Sequence, residues 1–285
     1  MVMDKFLALL LEAAPKSELS RLSGFYAERV LRGALGQAAI RSFVKLYDID
    51  IEEIEKPLSE YRSLAEFFSR GLKPHARLID SDPKTVVSPA DALVSQCGDL
   101  CDLTLVQAKG KYYQAEHLLQ DSEYARVFKG GKYIVLYLSP RDYHRTHSPL
   151  DAEIYAMRYI PGRLFAVNKF GVNNIQSLFT INERLATYLD TKAGRVAYIM
   201  VGAMNVGKIK VVFSDFATNK RNIKPFFREF QNRYRLKKGD EFGRFELGST
   251  VILLFEKGGI EFFDGLEPGA RLKVGEAFAK ITRGV

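Results

Sequence analysis

The chain has 285 residues, 47% of them hydrophobic and 27% charged, and a formal net charge of +8. That balance excludes a disordered or collagen-like polymer and leaves enough apolar chain for one large domain, or a domain with an accessory region. The excess of Lys and Arg favours an anionic partner: nucleic acid, a phospholipid surface or a phosphorylated substrate.

The first 47 residues predict helices. MDKFLALLLEAA is stopped by Pro15. In SELSRLSGFYAERVLRGAL, Leu19, Leu22, Tyr26 and Val30 recur at helical spacing. QAAIRSFVKLYDI puts Ile40, Phe43, Val44 and Tyr47 on one face. Basic residues outnumber acidic ones here, a pattern shared by helices that lie on an anionic membrane and by ordinary helical caps. The apolar run FLALLL ends at Glu12, far short of the roughly 20 residues that span a bilayer. No A-x-A cleavage site follows it, so an intracellular protein that keeps its N-terminus is expected.

SLAEFFSRGL, residues 63–72, is one more short helix. Beyond it TVVSPADALVSQ, KYIVLYL, AYIMVGAMNVGKIKVVF, STVILLF and GARLKVGEAFAKI read as strands, punctuated by Gly, Pro, Asn and Asp. The expected class is α+β: a helical region over 1–65, then a mostly β core over 66–285. The C-terminal LEPGARLKVGEAFAKI looks like the hairpins of barrel-sandwich carriers, although the only comparable tip, EKGG at 256–259, lacks a carrier motif.

Few residues offer chemistry. Cys97 and Cys101 in CGDLC lack the CxxC spacing and have no His nearby, so two reduced thiols and no metal site are expected. His144 and His147 fall in LSPRDYHRTHSPL, directly after a strong strand. Ser-Pro on each side limits any helix there to little more than a turn. Histidine is the side chain best suited to proton transfer near neutral pH. His-x-x-His also binds metals, but no third ligand stands out. Asp91 in VVSPADALVS sits at a turn, where Asp commonly bonds its own backbone. Gly248-Ser249 opens STVILLF. It joins a permissive backbone unit to a hydroxyl that needs a base to become a nucleophile. An aspartate, a histidine and a serine together activate the serine on many unrelated folds, recognised by geometry and not by chain order.

SPADA, LSPRDYHRTHSP, PGRLFAVN, VGAMNVGKI and FELGSTVILLF occur in this order. With the EFFSR segment, they resemble the phosphatidylserine decarboxylases of the bacterial, pyruvoyl-dependent type, from about residue 20 to the C-terminus. The resemblance implies that the Gly248–Ser249 bond cuts itself. The Ser249 hydroxyl attacks the Gly248 carbonyl, the ester eliminates, and the dehydroalanine left at 249 hydrolyses to a pyruvoyl group with loss of ammonia. A beta chain, 1–248, and an alpha chain, 249–285, would stay associated. The resemblance makes His147 the base and Asp91 its orienting carboxylate. It makes the pyruvoyl group the covalent cofactor, forming a Schiff base with the amine of phosphatidylserine. His144 is the candidate proton donor after carbon dioxide leaves, and phosphatidylethanolamine is the product.

A peripheral place on the cytoplasmic side of the cell membrane follows as an expectation. The contacts would be the basic N-terminal helices and KRNIKPFFREFQNRYRLKK, residues 220–238. A homodimer is the commonest assembly to expect. Nucleic acid is not expected, because the basic and aromatic residues match no RNA-binding motif. Two rival readings remain: a serine hydrolase, which would lack the G-x-S-x-G elbow, and a non-enzymatic membrane-binding or carrier module.

Overall fold

The computed structural model describes residues 33–203, 208–219, 223–246 and 249–283, without the side chain of Ser249. The helices expected over the first 32 residues lie outside the described residues, as does Gly248.

The helix Gly33–Tyr47 buries the face that its periodicity marks. Ile40 is fully buried, and Phe43, Val44 and Tyr47 pack with it against Ile49, Ile54, Tyr61 and Phe67. The next α-helix, Leu64–Phe68, is capped reciprocally. Ser63 Oγ accepts from Glu66 N at 3.1 Å, and the Glu66 carboxylate accepts from Arg62 N at 3.0 Å.

The core is an eight-stranded antiparallel sheet. Its spatial order is Phe226–Leu236, Ala152–Ile160, Arg184–Thr191, Gly194–Gly202, Ser249–Phe255, Lys132–Leu138, Ala92–Asp99, Arg271–Leu272. Ser249–Phe255 is paired along its whole length on both sides. Successive side chains of a strand point to opposite faces. Val251, Leu253 and Phe255 enter one apolar cluster, and Ile252 and Leu254 enter the other. With both faces covered, this stretch carries no charged residue.

One face is covered by two small sheets, through residues such as Phe242, Phe245, Phe278 and Ile281. The other is covered by short helices and a two-stranded sheet, through Leu118, Leu119, Phe179 and Leu105. Arg184 ties that second face together. It is fully buried and donates to the carbonyls of Leu118 (2.6 Å), Thr180 (2.6 Å), Asn182 (2.9 Å) and His117 (2.7 Å).

The α+β class with a mostly β core is therefore what the chain adopts. The barrel-sandwich likeness does not extend to closure: among the described residues no sheet forms a closed barrel. The basic, aromatic stretch before residue 238 forms the edge strand Phe226–Leu236, mostly exposed. Charged side chains along such an edge discourage pairing with another chain.

Candidate active site

The strand Lys132–Leu138 ends in a turn that Asp142 closes, its Oδ2 accepting from Ser139 N and Ser139 Oγ, both at 2.7 Å. This turn delivers Tyr143 and His144 into the interior. His144 is fully buried. Its Nδ1–H donates to the Asp142 carbonyl at 2.8 Å, and its Nε2 is buried with no partner. The Phe68 ring lies 4.0 Å from the imidazole, centroid to centroid. Burial, and then the nearby Arg70 cation, hold the His144 pKa down to about 3. The imidazole is therefore neutral, and its free nitrogen is a lone pair.

His147 ends the three-residue strand Arg145–His147, which pairs with Glu241–Phe245. Its Nδ1–H donates to the Gly239 carbonyl at 2.8 Å, which leaves Nε2 to accept from the Tyr143 hydroxyl at 3.2 Å. Gly239 has φ +88, and a Cβ there would lie 2.8 Å from Ile79 Cγ1. Glycine at this turn thus lets the carbonyl meet the imidazole. Burial lowers the His147 pKa and keeps this ring neutral as well.

The backbone of Ser249 lies opposite Leu138 on one side and Gly202 on the other. Leu138 directly precedes the turn that carries the histidines. The strand leading toward Ser249 is also tied to that loop, since Phe245 N donates to the His144 carbonyl at 3.0 Å. The fold therefore brings the backbone of Ser249 to the start of the loop that carries His144 and His147.

Asp91 is placed differently from the sequence expectation. Its carboxylate does not bond His147 in this geometry. It accepts from Arg77 Nε (2.9 and 3.1 Å), Arg77 Nη2 (2.5 Å) and Val274 N (2.9 Å). Arg77 also holds Glu53 at 2.8 Å. Asp91 reaches His147 only through its field, a lesser effect that favours the imidazolium.

Five residues of this site were not singled out from the sequence: Phe68, Arg70, Arg77, Tyr143 and Gly239. Phe68 and Arg70 lie in the EFFSR segment and Tyr143 in the histidine segment, so their neighbourhood was visible and their roles were not. Nothing local marks Arg77 as the partner of Asp91. Cys97 and Cys101 are free thiols. Among the described residues no three His, Cys, Asp or Glu side chains converge as a metal set, and no helix is long and apolar enough to cross a membrane.

Residues 64–280 match the family described as phosphatidylserine decarboxylase. A phosphatidylserine decarboxylase proenzyme of Brevibacillus brevis is 45% identical over 96% of this chain and 98% of its own. Proenzymes of the same name from Myxococcus xanthus and Shewanella loihica are 43% and 41% identical, each over 98% of this chain and 99% and 100% of their own. The chain belongs to the phosphatidylserine decarboxylase family.

Proposed function

We propose that this chain is a self-processing decarboxylase that converts phosphatidylserine to phosphatidylethanolamine with a pyruvoyl group made from Ser249. Within the family, the observation that carries this reading is the register of Ser249 opposite Leu138, beside the loop of His144 and His147.

In the cleavage step His147 Nε2 takes the Ser249 hydroxyl proton as the oxygen attacks the Gly248 carbonyl carbon. The C–N bond breaks, the nitrogen takes the proton, and an ester replaces the peptide. Loss of the Ser249 α-proton then expels the Gly248 carboxylate and leaves dehydroalanine. Water replaces its nitrogen, which departs as ammonia. The Gly239 carbonyl holds the tautomer this needs, and the Tyr143 hydroxyl must give up Nε2 as the proton arrives. Asp91 completes the charge relay at a distance, as a fixed negative charge that favours the imidazolium.

The residues present fit a pyruvoyl group at 249. The backbone there is held on both sides, and His144 Nε2 is an unpartnered buried acceptor. Such a group supplies a ketone that condenses with the substrate amine and draws off the electron pair released with carbon dioxide. His144 starts as an acceptor, because its only N–H is given to Asp142. It takes the proton of the substrate ammonium and returns it to the α-carbon after carbon dioxide has left. The incoming substrate carboxylate raises its basicity for that task.

The two chains stay together because Ser249–Phe255 is an inner strand whose neighbours, Lys132–Leu138 and Gly194–Gly202, both belong to the other chain. Peripheral contact with an anionic bilayer is supported by the outer side of Gly33–Tyr47. Leu35 and Leu46 there are 70% and 75% exposed. Eleven residues apart, they point within about 20° of each other on an α-helix. Replacing both with Glu should weaken sedimentation with anionic liposomes, and unchanged sedimentation would move the contact elsewhere.

Intact mass under denaturing conditions tests the central reading. Two species are expected, residues 1–248 and 249–285, the smaller with a pyruvoyl N-terminus. Ser249→Ala and His147→Ala should stay full length. His144→Ala should cleave but release carbon dioxide at least about 10²-fold more slowly, the usual scale for a lost acid–base group. A full-length wild-type protein that decarboxylates would refute the proposal.

A further inference from the structure

Arg70 follows the Leu64–Phe68 helix and is only 4% exposed. It lies beneath the histidine loop, where its Nη2 donates to the carbonyls of Arg141 (2.9 Å) and Asp142 (3.3 Å). Its guanidinium sits over the Phe67 ring, 5.1 Å from the centroid. Nε and Nη1 are buried and have no partner. Among the described residues no carboxylate forms an ion pair with Arg70. The two whose fields reach it, Asp91 and Asp142, are engaged elsewhere, Asp91 by Arg77 and Asp142 by Ser139 and Arg271.

A buried cation with unpaired N–H groups is costly to keep, so its persistence calls for an acceptor. Arg70 lines a cleft of about 340 Å³ that also borders Asp91 and Tyr143. Its charge bears on His144, the candidate proton carrier, and disfavours the imidazolium there. Arg141 and Arg271, both about half exposed, border the same cleft and favour entry of an anion.

Phosphatidylserine offers two anionic groups, a carboxylate and a phosphodiester. The carboxylate loses its charge as it becomes carbon dioxide. A cation fixed on it would stabilise the bound substrate more than the transition state and slow the reaction. The phosphodiester keeps its charge throughout, and gripping it orients the headgroup without that penalty.

We infer that Arg70 is the phosphodiester-binding residue of the site, its Nε and Nη1 donating to non-bridging phosphate oxygens while His144 faces the serine end of the headgroup. This inference rests on the reading of the chain as a phosphatidylserine decarboxylase.

The test is a binding titration on the uncleaved Ser249→Ala chain, with Arg70 intact, Arg70→Lys or Arg70→Gln. The probes are dihexanoyl-phosphatidylserine and its serine methyl ester, which keeps the phosphodiester and lacks the carboxylate charge. Arg70→Gln should weaken both at least about tenfold, the scale of a charged hydrogen bond, and Arg70→Lys less. Weakening of phosphatidylserine alone would assign Arg70 to the carboxylate and overturn the inference. Equal binding by all three proteins, or no binding by the Arg70-intact chain, would also overturn it. If Arg70→Gln is poorly folded by thermal unfolding, the charge-retaining Arg70→Lys decides: equal weakening of both lipids supports the subsite, and none refutes it. Carbon dioxide release by the cleaved wild type is read separately. Its absence sinks the decarboxylase reading, whereas normal release with Arg70-independent binding sinks only this subsite.

Discussion

Arg184 and Arg70 are both buried guanidinium groups, and among the described residues neither has a carboxylate partner. Arg184 answers its desolvation with four backbone carbonyls. Arg70 keeps two and leaves Nε and Nη1 unpaired. Burial lowers the pKa of both, that of Arg184 to about 9. The histidines repeat the contrast. His147 has partners on both nitrogens, whereas His144 has one free. One region is closed on itself and acts as a clamp. The other is held incomplete, so that something from outside can complete it.

The largest expected effect tests the clamp. Arg184→Leu strands four carbonyls, and at about 1 kcal/mol net per hydrogen bond the loss should reach about 4 kcal/mol or more. Urea denaturation of the uncleaved Ser249→Ala chain reads this directly. A loss below about 1 kcal/mol would remove the distinction between the two arginines.

The pH dependence of stability comes next. The folded-state pKa of His144 is about 3, below the ordinary 6.5, so the unfolded chain binds the proton more readily. The contribution is fully present above pH 6.5 and is lost as pH falls toward 3. Between pH 7 and 5 one such histidine should cost about 2 kcal/mol. His147 is shifted in the same direction and adds to the loss. Urea midpoints at the two pH values should draw closer in His144→Gln. An unchanged difference would mean that the buried imidazole is not the group that titrates.

Arg70→Leu should behave unlike Arg184→Leu. It gives up two hydrogen bonds and the Phe67 contact but also removes an incompletely paired buried charge, so the net change should stay within about 1 kcal/mol. A cost matching that of Arg184→Leu would make Arg70 a structural residue.

The smallest effect lies at the rim. Glu53→Gln removes the outer partner of Arg77 and leaves the Arg77–Asp91 pair in place. The Glu53 side chain is 28% exposed and its glutamine replacement can still accept from Arg77, so the cost should be about 0–1 kcal/mol, with unchanged cleavage kinetics. Slower cleavage would show that Glu53 steers Asp91 through Arg77.

The sequence by itself determined what depends on local period and on residue type. The buried face of Gly33–Tyr47 and the strands Lys132–Leu138 and Ser249–Phe255 were legible because helical and strand spacing repeat within a few residues. The family was legible in the segments around Asp91, His144, His147 and Ser249. The basic stretch before residue 238 was legible as charge and aromatic content. Its place as an edge strand was not, since edge position depends on which strands pair beside it. Only the tertiary structure decided the partners of the site residues. His147 meets a carbonyl 92 residues away and Asp91 an arginine 14 away. Many acceptors along the chain could serve each donor, and packing selects the one that arrives. The unpaired nitrogens of Arg70 and His144 lie furthest from sequence. A missing partner is a property of everything packed around the group, and no local pattern encodes it.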